Sequence, residues 1–563
     1  MKKPEFIEIL WNIAFILIAF LFIDHFLVMV SFLTHFKLLP FVIPISLLTA
    51  IVINLYLENK AGLKKLDLFW SAMISLLVIF SSLIISAFFF DFSWDGQWYH
   101  QDAIYQIEDG WNPVFEPMRH LHLSVVHFPK GSWYFAASVY STFGCFEAGK
   151  SVNFIVLVAL ALGVYATSLE YGISKFKSIV LTALLVLNPV SCSQLTTYLV
   201  DGLLSLYLTI YVVAIFACLR NPDFKKLSIG VMAAVCLINT KFTGLVFFGV
   251  FAVFTFLYFL FWKREHLLKF IGVHTVTLIL AVFIFGFNPY VTNTVERGHP
   301  FYPIMGTAKY PSQVTPENDS NELYETPGNM QGKATLTRYF YACFGRPSNA
   351  PYGGNRNAEL IWPCTSKITD WAIYRFHAVR ISGLGPFFSG TFVLSFILGI
   401  WALFSIKKIR WAFILTLAAV ITTLLLNKHL WWARFAPQIW WLPIIPILFS
   451  FCSPLGKLHT ITIWTLATLI VLNGLIVLCV HLNWETNSSV HLRKQLTELK
   501  QNNKTIEVNF EYFKRATEER LTKWGVKYIE VTDREIKQGK YNELISVVEG
   551  YPGAVLFRVI DKK

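Results

Sequence analysis

Residues 7–33, IEILWNIAFILIAFLFIDHFLVMVSFL, form one nearly unbroken apolar run whose titratable side chains are Glu8, Asp24 and His25. A helix needs roughly 20 apolar residues to cross a hydrocarbon core of about 30 Å. The run is too long for a cleavable signal peptide, and no small-residue cleavage site follows it. It therefore predicts a helix that spans a membrane.

Similar apolar runs recur through most of the chain. Thirteen candidate spans lie near 7–33, 39–57, 68–90, 148–170, 178–191, 200–219, 228–240, 242–261, 270–288, 387–405, 411–427, 435–452 and 460–481. Two of them, 178–191 and 228–240, are short for a crossing, and Pro189 and the Asn-Thr-Lys sequence at 239–241 interrupt the pattern there. Irregular backbone is tolerated in a membrane only where protein buries it or a water-filled cavity receives it. We therefore expect a thinned, hollow region at these spans.

The distribution of charge divides the chain into two parts. Only 15% of the residues are charged, whereas soluble proteins carry about 25%. The last 83 positions hold 27 of the charged residues and the first 480 hold 56, which excludes a disordered protein, a coiled coil and an ordinary cytosolic enzyme. We predict an all-α polytopic membrane domain over residues 1–481, with about 13 transmembrane helices, and a small soluble α/β domain over 482–563. In the second part we expect helices near 490–503 and 508–523 and strands near 526–532 and 553–560.

Lysine and arginine in the short connections indicate the orientation of the spans, because cytoplasmic loops carry an excess of both. The basic loops alternate regularly and contain Lys2, Lys3, Lys60, Lys64, Lys65, Lys175, Lys177, Arg220, Lys225, Lys226, Lys263, Arg264, Lys269, Lys407, Lys408, Arg410 and Lys457. They predict a cytoplasmic N-terminus, an extracytoplasmic C-terminus and two long outer loops at about 91–147 and 289–386. The net charge of +13 is thus largely a topology signal and requires no nucleic-acid partner.

The first outer loop begins with DFSWDGQWYHQDAIYQIEDGWNPVFEP at residue 91 and is rich in acids. Read as a helix over about 95–109, it places Asp95 and Asp102 on one face and aromatic rings, Tyr99 among them, in the membrane interface. A partly buried carboxylate beside a membrane cavity would act as a general base for an acceptor hydroxyl. The alternative is an interfacial helix whose acids face water.

Further charged residues lie at the predicted outer ends of the spans. Asp201, at the mouth of the sixth span, would either cap the helix or belong to a functional site. Lys241 lies outside against the positive-inside trend, so it would bind a lipid-linked phosphate or snorkel at the interface. Arg434, with Arg375 and Arg380 before the tenth span, completes a basic rim suited to an anionic lipid head group, although each alone would serve as an interface anchor.

Motifs for several other chemistries are missing from the sequence. The loop histidines His100, His120, His122 and His127 fit no strong zinc motif, so we expect an interfacial cluster and no metal site. There is no Gly-rich phosphate loop, GxSxG or HExxH, and hence no signal for an ATP-driven pump, a serine hydrolase or a zincin. Cys343 and Cys364, in the second outer loop, would form a disulfide in an oxidising compartment or remain two thiols.

Several short segments together carry a family resemblance. They are WDGQWYH in the first outer loop, FPKGSWYF at 128–135, YLVDGLL, NTKFTGL, NPYVTNTVERGHPFYP at 288–303, WWARFAP, and LTKWGVKYIEV and GAVLFRVI in the tail. In these segments and in layout the whole chain resembles the polytopic glycosyltransferases of the GT-C superfamily, closest to the bacterial protein-mannosyltransferase-like (family 39-like) branch. The tail is similar to the small α/β end domain of many such proteins.

The resemblance implies transfer of a sugar, with inversion, from a polyprenyl-phosphate donor to an acceptor at the extracytoplasmic face of a bacterial inner membrane. Asp95 would be the general base, Lys241 and Arg434 would hold the donor phosphate, and Asp201 would position a substrate. Many relatives place two adjacent acids in the first loop, whereas Gly96 follows Asp95 here.

That departure leaves the assignment of the base open between Asp95 and Asp102. Tyr99 and His100, in the same motif, are further candidates for positioning the substrate. No cofactor is required, although some GT-C proteins use a divalent metal. The expected partners are membrane lipids, the lipid-linked donor, and an acceptor that is a lipid, a glycan or a protein.

Other kinds of membrane protein compete with this interpretation. They are a lipid-linked oligosaccharide polymerase, ligase or flippase and, more distantly, a secondary transporter. A transporter would need charged or polar groups deep within several spans. Asp24 is one such acid, but the other strong acids and bases gather towards one face. Chemistry on a lipid-linked substrate is therefore the favoured function.

Overall fold

The structure is a computed structural model that describes residues 3–61, 64–116, 123–313, 326–349, 357–405, 410–452, 456–532, 541–546 and 553–560. The α-helices are α1 (Lys3–Leu33), α2 (Val42–Ala61), α3 (Lys65–Phe88), α4 (Gln101–Glu108), α5 (Leu123–His127), α6 (Gly131–Phe143), α7 (Ser151–Glu170), α8 (Lys175–Val186), α9 (Pro189–Ser193), α10 (Asp201–Arg220), α11 (Phe224–Thr240), α12 (Phe242–Trp262), α13 (Leu267–Ile279), α14 (Thr292–Arg297), α15 (Thr335–Phe344), α16 (Phe388–Ser405), α17 (Arg410–Leu425), α18 (Ile444–Cys452), α19 (Gly456–Asn502) and α20 (Lys514–Lys523). The π-helical turns are Gly96–His100, Leu280–Phe285 and Phe287–Val291. The 3-10 turns are Phe146–Lys150, Arg264–His266, Gly328–Met330, Ile368–Arg375, Ala433–Phe435 and Pro437–Trp441.

The helices follow the apolar runs of the sequence. Within the described part of the chain, eight helices are long and apolar enough to cross a membrane: Phe6–Leu33, Val42–Asn59, Lys65–Phe88, Phe146–Glu170, Asp201–Arg220, Phe242–Trp262, Arg264–Phe285 and Gly456–Asn502. Phe388–Phe404, Arg410–Leu425 and Pro437–Cys452 are shorter apolar helices, and α8 and α11 occupy the two short predicted spans. The protein is therefore mostly helical and multi-pass, whereas the total of thirteen crossings stays a prediction.

Buried lysines join several helix ends on one face of the bundle. Lys225 Nζ lies 2.5 Å from Glu58 Oε1 and 3.3 Å from Glu8 Oε2, and Lys226 Nζ lies 2.7 Å from Glu170 Oε1. A buried charge is costly unless it is paired, so these contacts fix α1, α2, α7 and α11 against one another. If successive helices cross the membrane in alternating directions, the starts of α1 and α11 and the ends of α2 and α7 must lie on the same side, as they do here. The compartment that this face meets stays a prediction.

At the opposite ends of these helices the backbone is irregular. Between α9 and α10 the chain is buried but not helical over residues 194–200. Asn153 Nδ2 lies 3.0–3.2 Å from the carbonyl oxygens of Gln194, Leu195 and Thr197 and is placed to donate to them. Since unpaired backbone groups are very costly away from water, this amide makes the break tolerable. The interruption expected near Pro189 is also confirmed, because α8 ends at Val186 and α9 begins at Pro189.

The C-terminal part contains a small sheet, as expected. Among the described residues its strands are β1 (Ile506–Phe510), β2 (Tyr528–Glu530), β3 (Asn542–Glu543) and β4 (Val555–Val559), in the order β2-β1-β4-β3, with β1 and β2 parallel and the other pairs antiparallel. The helix expected over 508–523 begins only at Lys514, because β1 occupies the first residues of that range. The helix α19 runs without interruption through 481/482.

The small sheet is fixed to the first outer loop by Arg520 of α20. Its guanidinium donates to Gln97 Oε1 and to the backbone oxygen of Asp91, both at 2.9 Å. The second predicted loop, 289–386, has short helices of its own, as expected. Its Cys343 is buried, its Cys364 is exposed, and both are free thiols.

The role of Asn153 can be tested by removing its amide. We expect Asn153→Ala to lower the apparent melting temperature, because each carbonyl left unpaired in a buried place costs about 1–3 kcal/mol. The control is Asn12→Leu, since the buried Asn12 amide has no hydrogen-bond partner among the described residues; this variant should be at least as stable as the wild type. Equal melting temperatures for Asn153→Ala and the wild type would contradict the assignment.

Candidate active site

Asp201 is buried at the first residue of α10, and its carboxylate contacts two cations. Lys241 Nζ lies 2.5 Å from Oδ1 and Arg434 Nε lies 3.8 Å from Oδ2. Val200 occupies the N-cap position, so Asp201 is not the cap that one interpretation of the sequence allowed. The carboxylate instead joins two segments that lie far apart in the sequence.

Lys241 reaches this carboxylate because the helix breaks at this residue. Its backbone is extended, with φ −159° and ψ 149°, and it separates α11 from α12. The interruption predicted at 239–241 is therefore confirmed. The ammonium lies 4.7 Å from the centre of the Phe435 ring, a cation–π contact. The side chain is 28% exposed, so an anionic ligand could reach it.

Arg434 connects the acid of the membrane helix with the acid of the first loop. Its Nη2 lies 3.0 Å from Asp95 Oδ2, while its Nε faces Asp201. Its guanidinium lies 4.6 Å from the centre of the Trp432 ring, and the guanidinium of Arg380 lies 4.5 Å from the same centre. Two arginines thus stack on one indole beside the ion pairs, and the cluster combines two carboxylates with three cations.

Asp95 stands directly before the π-helical turn Gly96–His100. A Cβ on Gly96 would lie 2.1 Å from Asp91 Oδ2 and 2.3 Å from Ser93 Oγ, so no side chain fits at this position. Asp91 is itself buried, and it accepts hydrogen bonds from the backbone N–H groups of Ser93 and Tyr198, each at 2.8 Å. This packing explains why Asp95 is followed by glycine and not by a second acid.

His100 is buried and Tyr99 is half-buried beside the ion pairs. Burial lowers the pKa of His100 to about 4 and raises that of Tyr99 well above its usual range. Trp133 Nε1–H donates to His100 Nδ1 over 2.7 Å, and an indole N–H only donates. The proton of the neutral imidazole is therefore on Nε2. Both side chains are neutral hydrogen-bonding groups at neutral pH.

Asp102 and Arg375 are placed outside this cluster. The π-helical turn Gly96–His100 lies between Asp95 and Asp102, and the Asp102 carboxylate accepts a 3.4 Å hydrogen bond from Gln106. Arg375 is exposed, and its guanidinium lies over the ring of Phe376. Across the described ranges, no ion pair or hydrogen bond joins either residue to Asp95, Asp201, Lys241 or Arg434.

Two other sequence motifs meet next to the first loop. Lys130 Nζ, from FPKGSWYF, donates to Asn288 Oδ1 at 2.6 Å, and His127 Nδ1 lies 2.7 Å from Asn293 Oδ1. These contacts pack the first outer loop against the start of the second. His120 and His122 lie outside the described residues, so the structure says nothing of that part of the histidine cluster.

The structure also brings together three side chains of metal-ligating type that the sequence analysis did not predict. The potential ligand atoms of His377, His481 and Glu485 lie within 4.8 Å of one another, and all three residues are buried. His377 is 108 positions away from Glu485 in the chain, so spacing alone could not link them. The only local signal was the i, i+4 spacing of His481 and Glu485 on one helix.

A large cavity lies elsewhere in the helix bundle. It has a volume of about 690 Å³ and is lined mainly by apolar side chains, together with Lys226, Lys263 and His274. It lies near the ends of α10 and α12 that are remote from Asp201 and Lys241, a distance of about 30 Å along a 20-residue helix. Its position separates it from the ion-paired cluster.

Comparison of the chain with protein-family models, curated proteins and solved structures finds no match in any of the three. The fold and the cluster nevertheless define a class: a multi-pass membrane protein with paired acidic and basic side chains at one end of its helices. The more specific resemblance of the sequence to the GT-C superfamily stays a proposal.

The protonation state of His100 has a measurable consequence. Its pKa in the folded protein, about 4, is below the ordinary value of about 6.5, so between these pH values the unfolded chain binds a proton that the folded chain does not. The stability that neutral His100 provides is therefore complete above pH 6.5 and is lost as the pH falls towards 4.

We expect His100→Gln to lose less stability than the wild type over this interval in thermal unfolding. His266→Gln, at an exposed site, should keep the wild-type profile, and an unchanged profile in His100→Gln would refute the assignment.

Proposed function

We propose that the protein is a membrane glycosyltransferase that moves a sugar from a polyprenyl-phosphate donor to an acceptor hydroxyl, with inversion. The observation that best supports this function is the meeting of Asp95, Asp201, Lys241 and Arg434 at one end of the helices. Asp95 and Arg434 are 339 positions apart in the chain. Transfer from a phosphate ester requires a base for the acceptor and cations for the leaving phosphate. This cluster brings a candidate base and several cations together from four segments of the chain.

The cations suit the leaving group of this reaction. As the bond between the anomeric carbon and the phosphate oxygen breaks, negative charge grows on the phosphate. Fixed cations in a site from which water is largely excluded stabilise that charge. Lys241 and Arg434 would bind the phosphate directly, and Arg380 would add to the positive potential through its position on Trp432. The polyprenyl chain would remain in the lipid beside the helices.

The ion pair between Asp95 and Arg434 suggests how the base is controlled. In this ion pair the Asp95 carboxylate is occupied by the Arg434 guanidinium and is not free to accept a proton from a hydroxyl group. The donor phosphate would compete with Asp95 for Arg434 and release the carboxylate. Asp95 would then take the proton of the acceptor hydroxyl. As it does so, the hydroxyl oxygen would attack the anomeric carbon, and the polyprenyl phosphate would leave as an anion.

The neutral groups beside the cluster would orient the substrates. His100 presents a protonated Nε2 and Tyr99 a phenol, and both can bind sugar hydroxyls without adding charge. Asp201 would hold Lys241 and Arg434 in place. We further propose that the site faces the extracytoplasmic side of a bacterial inner membrane, where lipid-linked sugars replace nucleotide sugars, and that the reaction needs no cofactor. The acceptor would be a lipid, a glycan or a protein.

The competing functions make different demands on the structure. A transporter needs charged groups deep within several spans, but among the described residues the buried acids and bases of the spans lie near helix ends, with Asp24 and its neighbour His25 as the exceptions, both in α1. A flippase would move lipid without forming a product. Mass spectrometry of co-purified lipid, followed by a transfer assay with that lipid in nanodiscs, therefore separates these functions from glycosyl transfer.

Removing the base tests the proposed chemistry. We expect Asp95→Asn to reduce transfer at least ~100-fold, the usual effect of losing a general base, while the melting temperature stays close to that of the wild type. Asp102→Asn is the matched control and should keep its rate within about twofold. Transfer by Asp95→Asn at the wild-type rate would exclude Asp95 as the base, and loss of transfer in Asp102→Asn alone would assign the base to Asp102.

A second set of variants tests the phosphate-binding role. We expect Lys241→Gln to raise the KM for the lipid donor by roughly 10- to 100-fold, because a hydrogen bond to a charged group contributes about 1.5–3 kcal/mol. Arg375→Gln, which alters an exposed cation outside the cluster, should leave the KM unchanged. If both variants bind the donor equally well, Lys241 does not hold the phosphate.

A further inference from the structure

His377, His481 and Glu485 form a buried group beside the candidate active site. His481 and Glu485 are four residues apart on α19, so they project from one face of the helix. His377 comes from the second outer loop. The side chains are 7%, 0% and 0% exposed for His377, His481 and Glu485, respectively. Such a concentration of ligating groups away from water needs a physical explanation, because buried polar groups are costly unless they are paired.

The hydrogen bonds fix the protonation of His481. Its Nδ1 lies 3.0 Å from the backbone oxygen of Arg375, and a carbonyl oxygen only accepts. Nδ1 therefore carries the proton, and Nε2 of the neutral ring presents a lone pair. That Nε2 is buried without a hydrogen-bond partner among the described residues, and it faces Glu485 Oε1 at 3.7 Å. Two electron-rich atoms thus face each other out of contact with water.

His377 completes the group from the other side. Its Nε2 contacts Glu485 Oε1 directly. Lys150, which is also buried in this region, is already engaged by Glu147 and by the backbone oxygen of Phe89. The Lys150 ammonium is therefore not available to pair with the lone pair of His481 or the carboxylate of Glu485.

We propose that His377 Nε2, His481 Nε2 and the Glu485 carboxylate bind a divalent transition-metal ion, with zinc as the ion that best suits two imidazoles and one carboxylate. Water would occupy the fourth position. The bond from His481 Nδ1 to the Arg375 carbonyl is the kind of outer contact that orients a metal-binding imidazole. On binding, the proton shared between His377 and Glu485 would be released to solvent.

The site would position the arginines of the cluster without touching the substrate. The backbone oxygen of Ala378, next to His377, accepts a 3.3 Å hydrogen bond from Trp432 Nε1, and Trp432 is the ring on which Arg380 and Arg434 stack. His377 and Arg434 also line one small cavity of about 10 Å³. A metal that fixes the loop of His377 to α19 would therefore also fix the Trp432 ring, on which the two guanidinium groups lie.

Metal analysis of the full-length protein tests this site. After purification with zinc and removal of loosely bound ions, elemental analysis of the wild type should find about one zinc per chain. His481→Gln and Glu485→Gln should each lose most of it, whereas His266→Gln, beside an exposed glutamate in a different loop, should keep it. Zinc-free wild type, or variants with the wild-type zinc content, would overturn the proposal.

A second measurement covers variants that fail to fold. Wild-type protein stripped with a chelator should have a lower melting temperature that added zinc restores, since a ligand that binds only the folded state stabilises it. Added cobalt should give the visible absorption of a four-coordinate cobalt ion. If neither ion changes the melting temperature and cobalt gives no such absorption, the three side chains do not bind a metal.

Discussion

The carboxylate of Asp201 is the contact on which the arrangement of the site depends. A charge at the buried end of a membrane helix must be paired, and Asp201 is paired with Lys241 and, more distantly, with Arg434. Arg434 in turn holds Asp95 of the first loop. One buried acid thus determines how the start of α10, the break between α11 and α12 and the turn after α17 are placed around the first loop.

The two ends of the helix bundle use buried charge in different ways. At one end Lys225 and Lys226 are 5% and 1% exposed and each is closely paired with a glutamate. At the other end Lys241 is 28% exposed and the cations outnumber the carboxylates. An anion could therefore reach the ammonium of Lys241. This difference favours the second end for chemistry on a phosphate.

Much of the fold and of the site could be predicted from the sequence, for physical reasons. The apolar runs specify the membrane helices because length and hydropathy decide insertion. Asp95, Asp201, Lys241 and Arg434 stood out because charge at the end of a span is unusual. Asp102 was expected on the face of Asp95, but a π-helical turn that no local sequence pattern indicated lies between the two residues.

Other features depended on contacts that are distant in sequence. The strand Ile506–Phe510 was expected in part as helix, since its β-conformation is stabilised by pairing with β4, almost 50 positions further on. The group of His377, His481 and Glu485 was missed because the loop histidine joins the helix only through the fold. The side chains that require Gly96 are local, those of Asp91 and Ser93, but the Asp91 carboxylate is itself held by the backbone N–H of Tyr198, 107 positions further on.

In the proposed reaction, a lipid phosphate displaces Asp95 from Arg434. The most direct test is a cryo-EM structure of the full-length protein in nanodiscs with a polyprenyl phosphate. We expect phosphate density in contact with Lys241 and Arg434 and a distance between Asp95 Oδ2 and Arg434 Nη2 well beyond the present 3.0 Å. Phosphate bound elsewhere, with the ion pair of Asp95 and Arg434 intact, would contradict it.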